Sequence, residues 1–318
     1  MVALMDIKKG HVICVERAVL KAPHEVTQEQ LDELVLPLST KEEKASLRTA
    51  IQQLGPYSAD ATLSQKFLAN RMKITPKESA LFVTLARINH SCLPNTAHFH
   101  DHYHSGEGVE ELVATCDIKC GQEITINYAS HLLAEQRALV LKDEYGFVCD
   151  CRACGQTNDA PSQQLTRELD QTIQLDDDIG QLTSDKKITE ATESAHKLLQ
   201  LYVKLEMSDT YLARTHFDLF QLKMMQIKLL QDDNSDNDQK KDAATTDTPS
   251  DNDDNPKMGD TNIEPLLQDA THHIEQAHQF ALDFFGYPEH PLVQHYQYYK
   301  DHPQKHPYYP TALPSANQ

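Results

Sequence analysis

The chain has 318 residues, a formal net charge of −19 and 39% hydrophobic residues, which suffices for one large core or two ordinary ones. The negative charge disfavours tight sequence-independent binding to nucleic acid, because such binding depends on Lys and Arg neutralising phosphates. No apolar run approaches the roughly 20 residues that cross a bilayer, and no charged-then-apolar leader stands at the N-terminus. We expect a soluble, intracellular, two-domain monomer that binds neither nucleic acid nor membranes directly.

The first 25 residues predict a turn followed by a strand. Asp6 and Gly10 bracket the turn in "DIKKG", and "HVICV" is a short β-branched run. A near copy, "DIKCG" from Asp117 to Gly121, is followed by the strand-like "EITINY". These copies predict two similar β-turns in one sheet-rich region rather than a long-period repeat array.

Residues 26–66 predict a helical insertion, in which Leu31, Leu34 and Val35 follow helical spacing. The alternating "TAHFHDHYH" and the later "VEELVATC" then predict a β-hairpin. Residues 1–148 therefore combine short strands with a helical insertion, which is an α+β pattern.

After Pro161 the apolar spacing becomes helical and continues to Gly286, a suitable C-terminal helix cap that is followed by Pro288. We predict a domain of antiparallel helix pairs over residues 160–300 and a tail over 301–318. Ten Asp and three Lys between Gln231 and Asp260 cannot contribute to a core. We therefore expect a disordered acidic insertion at 231–261, acting as a solvated linker.

The seven cysteines form no even-numbered disulfide framework and are expected to be reduced. Three of them, Cys149, Cys151 and Cys154, have the spacing C-x-C-x2-C and could converge on one zinc ion, which requires a fourth ligand. Cys92 stands in an irregular segment that suits a ligand presented by a loop, whereas packing roles suit the others. We predict that Cys92 completes a three-plus-one zinc site. The remaining cysteines are Cys14, Cys116 and Cys120.

A second candidate metal site is the histidine run in "HFHDHYH". Imidazoles that share one face of a strand can bind a transition metal. We favour an exposed polar strand face, because the run has no thiol or carboxylate at a fixed distance. The histidines concerned are His98, His100, His102 and His104.

Three blocks, "RINHSCLPNTA", "DIKCGQEITINY" and "YGFVCDCRACG", resemble in this order the C-terminal half of a SET-domain protein lysine methyltransferase. The resemblance is to the SET-and-MYND-like (SMYD-like) subclass and its fungal-type relatives, without a MYND finger. It extends from about Asp6 to Cys154 and, more loosely, over the helical region. It implies an α+β chain with a SET β-fold of short strands, a zinc-binding post-SET segment at 149–156 and an all-α, TPR-like C-terminal domain.

The resemblance implies a protein-lysine N-methyltransferase that depends on S-adenosyl-L-methionine, with a histone tail or another lysine-bearing protein as substrate. Tyr128 would be the catalytic tyrosine, also touching the cofactor, and Tyr145 would form a second wall of the lysine channel. A desolvated lysine ammonium, whose pKa in water is roughly 10.4, loses its proton more readily in such a channel. The implied cofactor-binding residues are Asn70, placed on the strand before this region, Asn89, His90, Tyr128 and Phe147.

Two further expectations follow from the resemblance. A cytoplasmic and nuclear location fits a lysine methyltransferase of this subclass. The family's Gly-x-Gly cofactor loop precedes the first strand, and "MVALMDIKKG" aligns just after that loop. The alternative expectation is therefore a catalytically impaired SET-domain protein that acts as an interaction module.

Overall fold

The computed structural model describes residues 1–55, 61–101, 108–155, 160–242 and 260–309. The chain divides into two compact units, Met1–Asp170 and Gln171–Gln318. The first unit combines short strands with helices and the second is helical, which confirms the predicted α+β class.

The first unit contains two three-stranded antiparallel sheets. In one sheet the order is β1, β7, β6, and in the other it is β2, β4, β3. The first sheet contains the predicted hairpin, whose Thr96 pairs with Ala114. The strands are β1 (Val12–Arg17), β2 (Leu20–Pro23), β3 (Arg71–Lys73), β4 (Glu78–Leu81), β5 (Asn89–His90), β6 (Thr96–Asp101), β7 (Val109–Ala114) and β8 (Thr125–Ile126).

The two Asp-Ile-Lys-x-Gly turns pair with each other. Ile7 and Ile118 exchange two backbone hydrogen bonds of 2.8 Å each. The Asp6 carboxylate accepts from the backbone N–H of Cys120 at 2.9 Å, and the Asp117 carboxylate accepts from that of Lys9 at 3.1 Å. The predicted pair of similar turns is therefore a reciprocal contact that joins the start of the chain to the segment that leads to Tyr128.

The helical insertion lies between β2 and β3, close to the predicted range. Its apolar faces pack with the β2–β4 side of the second sheet around the fully buried Leu31 and Phe67. Thr27 and Thr62 each form a capping box that begins a helix. The helices are α1 (Gln28–Thr40), α2 (Ala45–Gln52) and α3 (Leu63–Asn70).

A short parallel pair, β5 with β8, connects two of the three motif blocks. Asn89 pairs with Thr125, and His90 pairs with Ile126. The Ser91 N–H continues the ladder by donating to the Ile126 carbonyl at 2.9 Å. This pairing places the Asn-His dipeptide beside the segment that leads to Tyr128.

In the second unit α7 packs against both α6 and α8, and α9 packs against α8. Gly286, at φ 73°, ends α8 as predicted. Within the described residues, no helix combines the length and apolar character needed to span a membrane. The helices are α4 (Ala134–Asp143) in the first unit, α5 (Ala160–Ser184) across the division, and α6 (Ile188–Lys204), α7 (Asp209–Asp242), α8 (Asp260–Phe285) and α9 (Pro291–Asp301).

The acidic segment differs in part from the expectation of disorder. Helix α7 continues through Asp242, so residues 231–242 are helical. Residues 243–259, which contain the remainder of the expected insertion, and the tail beyond residue 309 lie outside the described residues.

Candidate active site and cysteine cluster

One cavity of about 740 Å³ in the first unit gathers most of the predicted site residues. It lies where α3, β5, the segment after β8 and the segment after α4 come together. Its size falls within the range of about 300–1,000 Å³ that is typical of small-molecule sites. The predicted residues that line it are Asn70, Asn89, Tyr128, Tyr145 and Phe147.

Two tyrosines form an aromatic wall of the cavity. The ring centroids of Tyr128 and Tyr145 lie 4.9 Å apart. The Tyr128 hydroxyl donates to the carbonyl of Ile88. Burial, followed by the charges of Tyr145 and Glu123, raises the pKa of Tyr128 to about 12, and burial also raises the pKa of Tyr145. Both hydroxyls are therefore neutral at physiological pH.

Asn89 is oriented by a carboxylate that the motifs did not single out. Its amide Nδ2 donates to Glu123 Oε1 at 2.7 Å. Glu123 belongs to the "QEITINY" block, and the β5–β8 pairing brings it next to Asn89. The sequence does not give the register of that pairing, and without the register Glu123 cannot be distinguished from an ordinary strand residue.

Asn70 lines the cavity from a different element than predicted. It is the last residue of α3 and not part of a strand, because β3 begins at Arg71. Its amide nitrogen donates to the carbonyls of Gly55 at 2.6 Å and Lys66 at 2.8 Å. These two bonds fix the side chain and leave its carbonyl oxygen Oδ1 available as an acceptor for a ligand.

The imidazole of His90 is directed toward the cysteines rather than into the cavity, which it does not line. Its Nε2 lies 3.3 Å from Cys92 Sγ, and its Nδ1 accepts from the backbone N–H of Tyr128 at 3.0 Å. Its ring centroid is 5.4 Å from that of Tyr128 and 6.1 Å from that of Phe147. The side chain contacts a cysteine of the cluster and two residues that line the cavity, and the predicted role of His90 in cofactor binding stays a prediction.

The four predicted zinc ligands meet in one cluster. Their sulfur atoms all lie within 4.8 Å of one another, and Cys92 Sγ is 3.5 Å from Cys154 Sγ and 3.9 Å from Cys149 Sγ. A tetrahedral site with Zn–S bonds of about 2.3 Å has sulfur atoms about 3.8 Å apart, so this arrangement fits a bound zinc ion. All four are free thiols, namely Cys92, Cys149, Cys151 and Cys154.

The chemistry of the cluster also favours a cation. Hydrogen bonds among the four sulfur atoms lower the pKa of the Cys149 and Cys151 thiols and raise that of the Cys92 and Cys154 thiols, so that protonated neighbours can hold a thiolate in the cluster. A thiolate is the form that binds a metal. Among the residues that the structure describes, these cysteines are the only group of three or more ligating side chains close enough to share one ion.

The other metal candidates lie elsewhere. Cys14 is partly buried, and burial raises the pKa of its thiol, while the exposed Cys120 donates to the Leu4 carbonyl at 3.4 Å. His98 lines the cavity with its Nδ1 3.2 Å from Glu110 Oε1. The side chain of His100 lies outside the described residues, and so do His102 and His104. Of the four histidines in the predicted run, the structure therefore describes only the side chain of His98.

Sequence reasoning missed several polar residues of the cavity. Arg71, Lys73 and Arg87 line it, and Arg71 Nη1 donates to the His24 carbonyl at 3.2 Å. Basic residues beside helix and strand ends are common on surfaces, and only the fold shows that these three share a cavity.

Comparison with known protein families gives a match within the first unit. Residues 1–129 match the family model of the SET domain. The chain is 39% identical over 79 residues to "Histone-lysine N-methyltransferase SET5" of Meyerozyma guilliermondii, covering 24% of this chain and 16% of that protein. It is 38% identical over 87 residues to "Histone-lysine N-methyltransferase SMYD3" of Homo sapiens, covering 27% and 19%.

A longer match is to "Histone-lysine N-methyltransferase set5" of Schizosaccharomyces pombe, at 26% identity over 159 residues, covering 48% of this chain and 46% of that protein. Each of these matches spans less than half the length of the relative. The family model covers two of the three motif blocks, "RINHSCLPNTA" and "DIKCGQEITINY", and the third block begins beyond it at Tyr145. Residues 1–129 of this chain therefore match the family model of the SET domain, and the chain is similar over part of its length to proteins named as SET5 and SMYD3 lysine methyltransferases.

Proposed function

We propose that this chain is a protein-lysine N-methyltransferase that uses S-adenosylmethionine. One observation carries the proposal: five residues predicted from separate motif blocks line a single cavity, and both aromatic and amide groups are among them. An interaction module would not need these residues in one cavity. The alternative of an impaired SET-domain module is therefore not favoured.

The cofactor has a charged amino-acid end, an adenine and a sulfonium, and the cavity offers partners for the first two. The Oδ1 of Asn70 is an acceptor for the amino group, and the nearby Arg71 is a cation for the carboxylate. Phe147 offers an apolar face to the adenine. When bound, S-adenosylmethionine supplies an electrophilic methyl group.

The substrate lysine would enter along the aromatic wall that Tyr128 and Tyr145 form. Aromatic walls remove water from the ammonium group, which lowers its pKa and favours the neutral, nucleophilic amine. Holding this amine in line with the methyl group supplies most of the catalysis, because orientation converts an encounter into an effectively unimolecular step.

We propose that the cysteine cluster binds zinc in a structural role. Four thiolates complete the coordination of a tetrahedral ion and leave no position for water, as in structural rather than catalytic zinc sites. The ion would join the loop after β5 to the segment that carries Tyr145 and Phe147. These are the two sides of the cavity opposite α3.

The substrate is proposed to be a basic protein segment such as a histone tail. The relatives are named as histone-lysine or N-lysine methyltransferases, and the net charge of −19 favours positively charged partners. A protein that meets histones or their precursors would work in the cytoplasm and nucleus.

Binding of the cofactor tests the proposal first. Titration calorimetry of the chain with S-adenosylmethionine should give micromolar-range binding that Asn89→Ala weakens. Gln28→Ala, on the exposed start of α1, is the control and should bind as the unmutated chain does. Absence of binding heat in the unmutated, zinc-loaded chain would overturn the proposal and return the interaction module as the better account.

A further inference from the structure

We propose that His90 is a positioning residue that links the cysteine cluster to the segment after β8 that carries Tyr128, through one fixed imidazole tautomer. Its effect on methyl transfer rests on the proposed function. The link itself is a matter of two hydrogen bonds and metal affinity, and it can be tested in a chain that transfers no methyl group.

The tautomer follows from the partners of the ring. The backbone N–H of Tyr128 can only donate, so His90 Nδ1, 3.0 Å away, must accept and carries no proton. The proton of the neutral imidazole is then on Nε2, which lies 3.3 Å from Cys92 Sγ. His90 Nε2–H therefore donates to the sulfur, and a metal-bound thiolate is a better acceptor than a thiol because it is charged.

The ring extends the β5–β8 pairing by one step. The backbone ladder ends with Ser91 N–H donating to the Ile126 carbonyl, and the next N–H on the same side of that segment, two residues on, is that of Tyr128. His90 Nδ1 accepts from this N–H in the place that a backbone carbonyl would take in a longer ladder. The position of Tyr128 therefore depends on a side chain whose other end contacts a metal ligand.

The same ring also supports the aromatic part of the cavity. Its centroid lies 5.4 Å from that of Tyr128 and 6.1 Å from that of Phe147, and both of these residues line the cavity. Loss of the ion would free Cys92 and remove one anchor of the imidazole. A hydrogen bond to a ligating atom also tunes the metal, and mutation of such partners typically costs about 10–100-fold in metal affinity.

Three variants separate the two hydrogen bonds. Asparagine at this position keeps an acceptor near Nδ1 and loses the donor to sulfur, whereas glutamine keeps a donor near Nε2 and loses the acceptor. Phenylalanine keeps the ring and loses both. The variants are His90→Asn, His90→Gln and His90→Phe, with His24→Asn as a control, since His24 lines the cavity and its Nδ1 lies 3.0 Å from Ser79 Oγ.

Zinc affinity by chelator competition and the absorption of the cobalt(II)-loaded chain are the readouts. We expect His90→Asn and His90→Phe to bind zinc at least about tenfold more weakly, and their sulfur-to-cobalt charge-transfer band to move to lower energy, because the thiolate loses its hydrogen bond. His90→Gln should keep both properties near those of the unmutated chain, and His24→Asn should leave them unchanged.

The loss of the hydrogen-bond acceptor for Tyr128 should affect a different variant from those that lose zinc affinity. In methyl transfer, His90→Gln should lower kcat although it retains zinc, because the Tyr128 N–H has lost its acceptor. An unchanged cobalt band and an unchanged zinc affinity in His90→Asn and His90→Phe would overturn the link. An equal loss of zinc affinity in all three variants would also overturn it, because it would indicate that the ring acts through packing alone. Failure of the unmutated chain to transfer methyl groups would contradict the proposed function and leave the metal result intact.

Discussion

The Tyr128 hydroxyl is neutral and directionally fixed at the aromatic wall of the cavity. It donates its proton to the Ile88 carbonyl, and burial raises its pKa to about 12. With the proton committed to Ile88, the oxygen lone pairs are left to accept from a donor in the cavity. A lysine amine that approaches the cofactor is such a donor, so the hydroxyl can orient it.

Replacing this oxygen should slow transfer without preventing cofactor binding. We expect Tyr128→Phe to lower kcat by about 10²-fold, a loss comparable to that from misplacing a reacting group or removing one preorganised polar contact. Binding of S-adenosylmethionine in calorimetry should change little, since Asn70 and Asn89 remain. A Phe variant that transfers at the unmutated rate would remove Tyr128 from the catalytic role.

At this scale, motif matching predicted the residues but not their orientations. The four cysteines and the cavity-lining Tyr128 lie within contiguous blocks, so the chain itself keeps their neighbours fixed. The direction of the His90 ring and the role of Glu123 depend on the register of β5 against β8, which brings together residues 34 or more positions apart in the chain. Only the folded pairing supplies that information.

Among the elements, the paired Asp-Ile-Lys-x-Gly turns depend on glycine. Gly121 has φ +84°, a conformation that residues other than glycine adopt at a cost, although a methyl group on its Cα would meet no atom within 4 Å. We expect Gly121→Ala to reduce the free energy of unfolding by about 1 kcal/mol, measured by urea denaturation.

The control for that substitution should change the free energy of unfolding in the opposite direction. Gly180 lies within α5, has no positive φ and would also place a methyl group in open space. Gly180→Ala should therefore stabilise the chain by up to about 1 kcal/mol, since alanine is the better helix former. If both substitutions shift stability in the same direction, the backbone of the turn does not impose the cost.

Helices α7 and α8 meet through a pair of buried histidines. His216 Nδ1 lies 2.9 Å from His273 Nδ1, so one ring donates and the other accepts. Burial lowers the pKa of both imidazoles to about 4, and for His216 the charge of His273 lowers it further. Asp269 Oδ1, 3.6 Å from His273 Nε2, opposes this effect, but its other oxygen is engaged by Lys223 at 2.7 Å.

This pair should make the helical unit sensitive to acid. Because the folded pKa values lie below the ordinary 6.5, the stabilisation is complete above pH 6.5 and is lost as pH falls toward 4. Between pH 7.5 and 5 we expect a loss of about 2 kcal/mol for each histidine that stays neutral in the fold. Urea denaturation monitored by helical circular dichroism measures it.

A double variant isolates the histidine pair from other acid effects. His216→Phe with His273→Leu removes both titrating groups and replaces them with apolar side chains of similar extent. The loss of stability between pH 7.5 and 5 should be smaller in this variant by the contribution of the pair, while His306, whose pKa burial also lowers to about 4, still contributes. An unchanged loss in the double variant would assign the acid sensitivity to other buried histidines, such as His306 or His196, whose pKa burial also lowers.

The periodicity of apolar residues predicted the helices and the hairpin, and it failed where charge dominates. Helix α7 continues to Asp242 beyond the last apolar positions, into residues expected to be disordered. Extending an existing helix costs far less than starting one, and Lys228 forms an i,i+4 ion pair of 2.9 Å with Asp232 near that point. The composition of the acidic segment gives no information about the helix that precedes it.

Over the whole molecule, the cysteine cluster connects segments that are far apart in sequence. Cys92 is separated by 57 residues from Cys149 and by 62 from Cys154. The first compact unit extends into the start of α5, as far as Asp170. Asp170 accepts from the Ala134 N–H at 2.8 Å, and Thr166 donates to the Ala153 carbonyl at 2.6 Å, so the start of α5 contacts the first unit.

Removing the metal should loosen both sides of the cavity together. After chelation we expect amide hydrogen exchange to accelerate in residues 88–96 and 144–155, because the ion would join these segments through the four cysteine side chains. Amides of α6 serve as the internal control and should keep their protection. Faster exchange confined to residues 144–155 would show that the loop after β5 keeps its position without the metal.

The most direct test of the central claim is transfer of an isotopically labelled methyl group from S-adenosylmethionine to a lysine-bearing protein, detected by mass spectrometry. Histones are the first acceptors to try. The account predicts labelled methyl-lysine with the unmutated, zinc-loaded chain and a large loss of label with Tyr128→Phe or after chelation. A chain that binds the cofactor and zinc yet labels no lysine across a panel of basic proteins would contradict it.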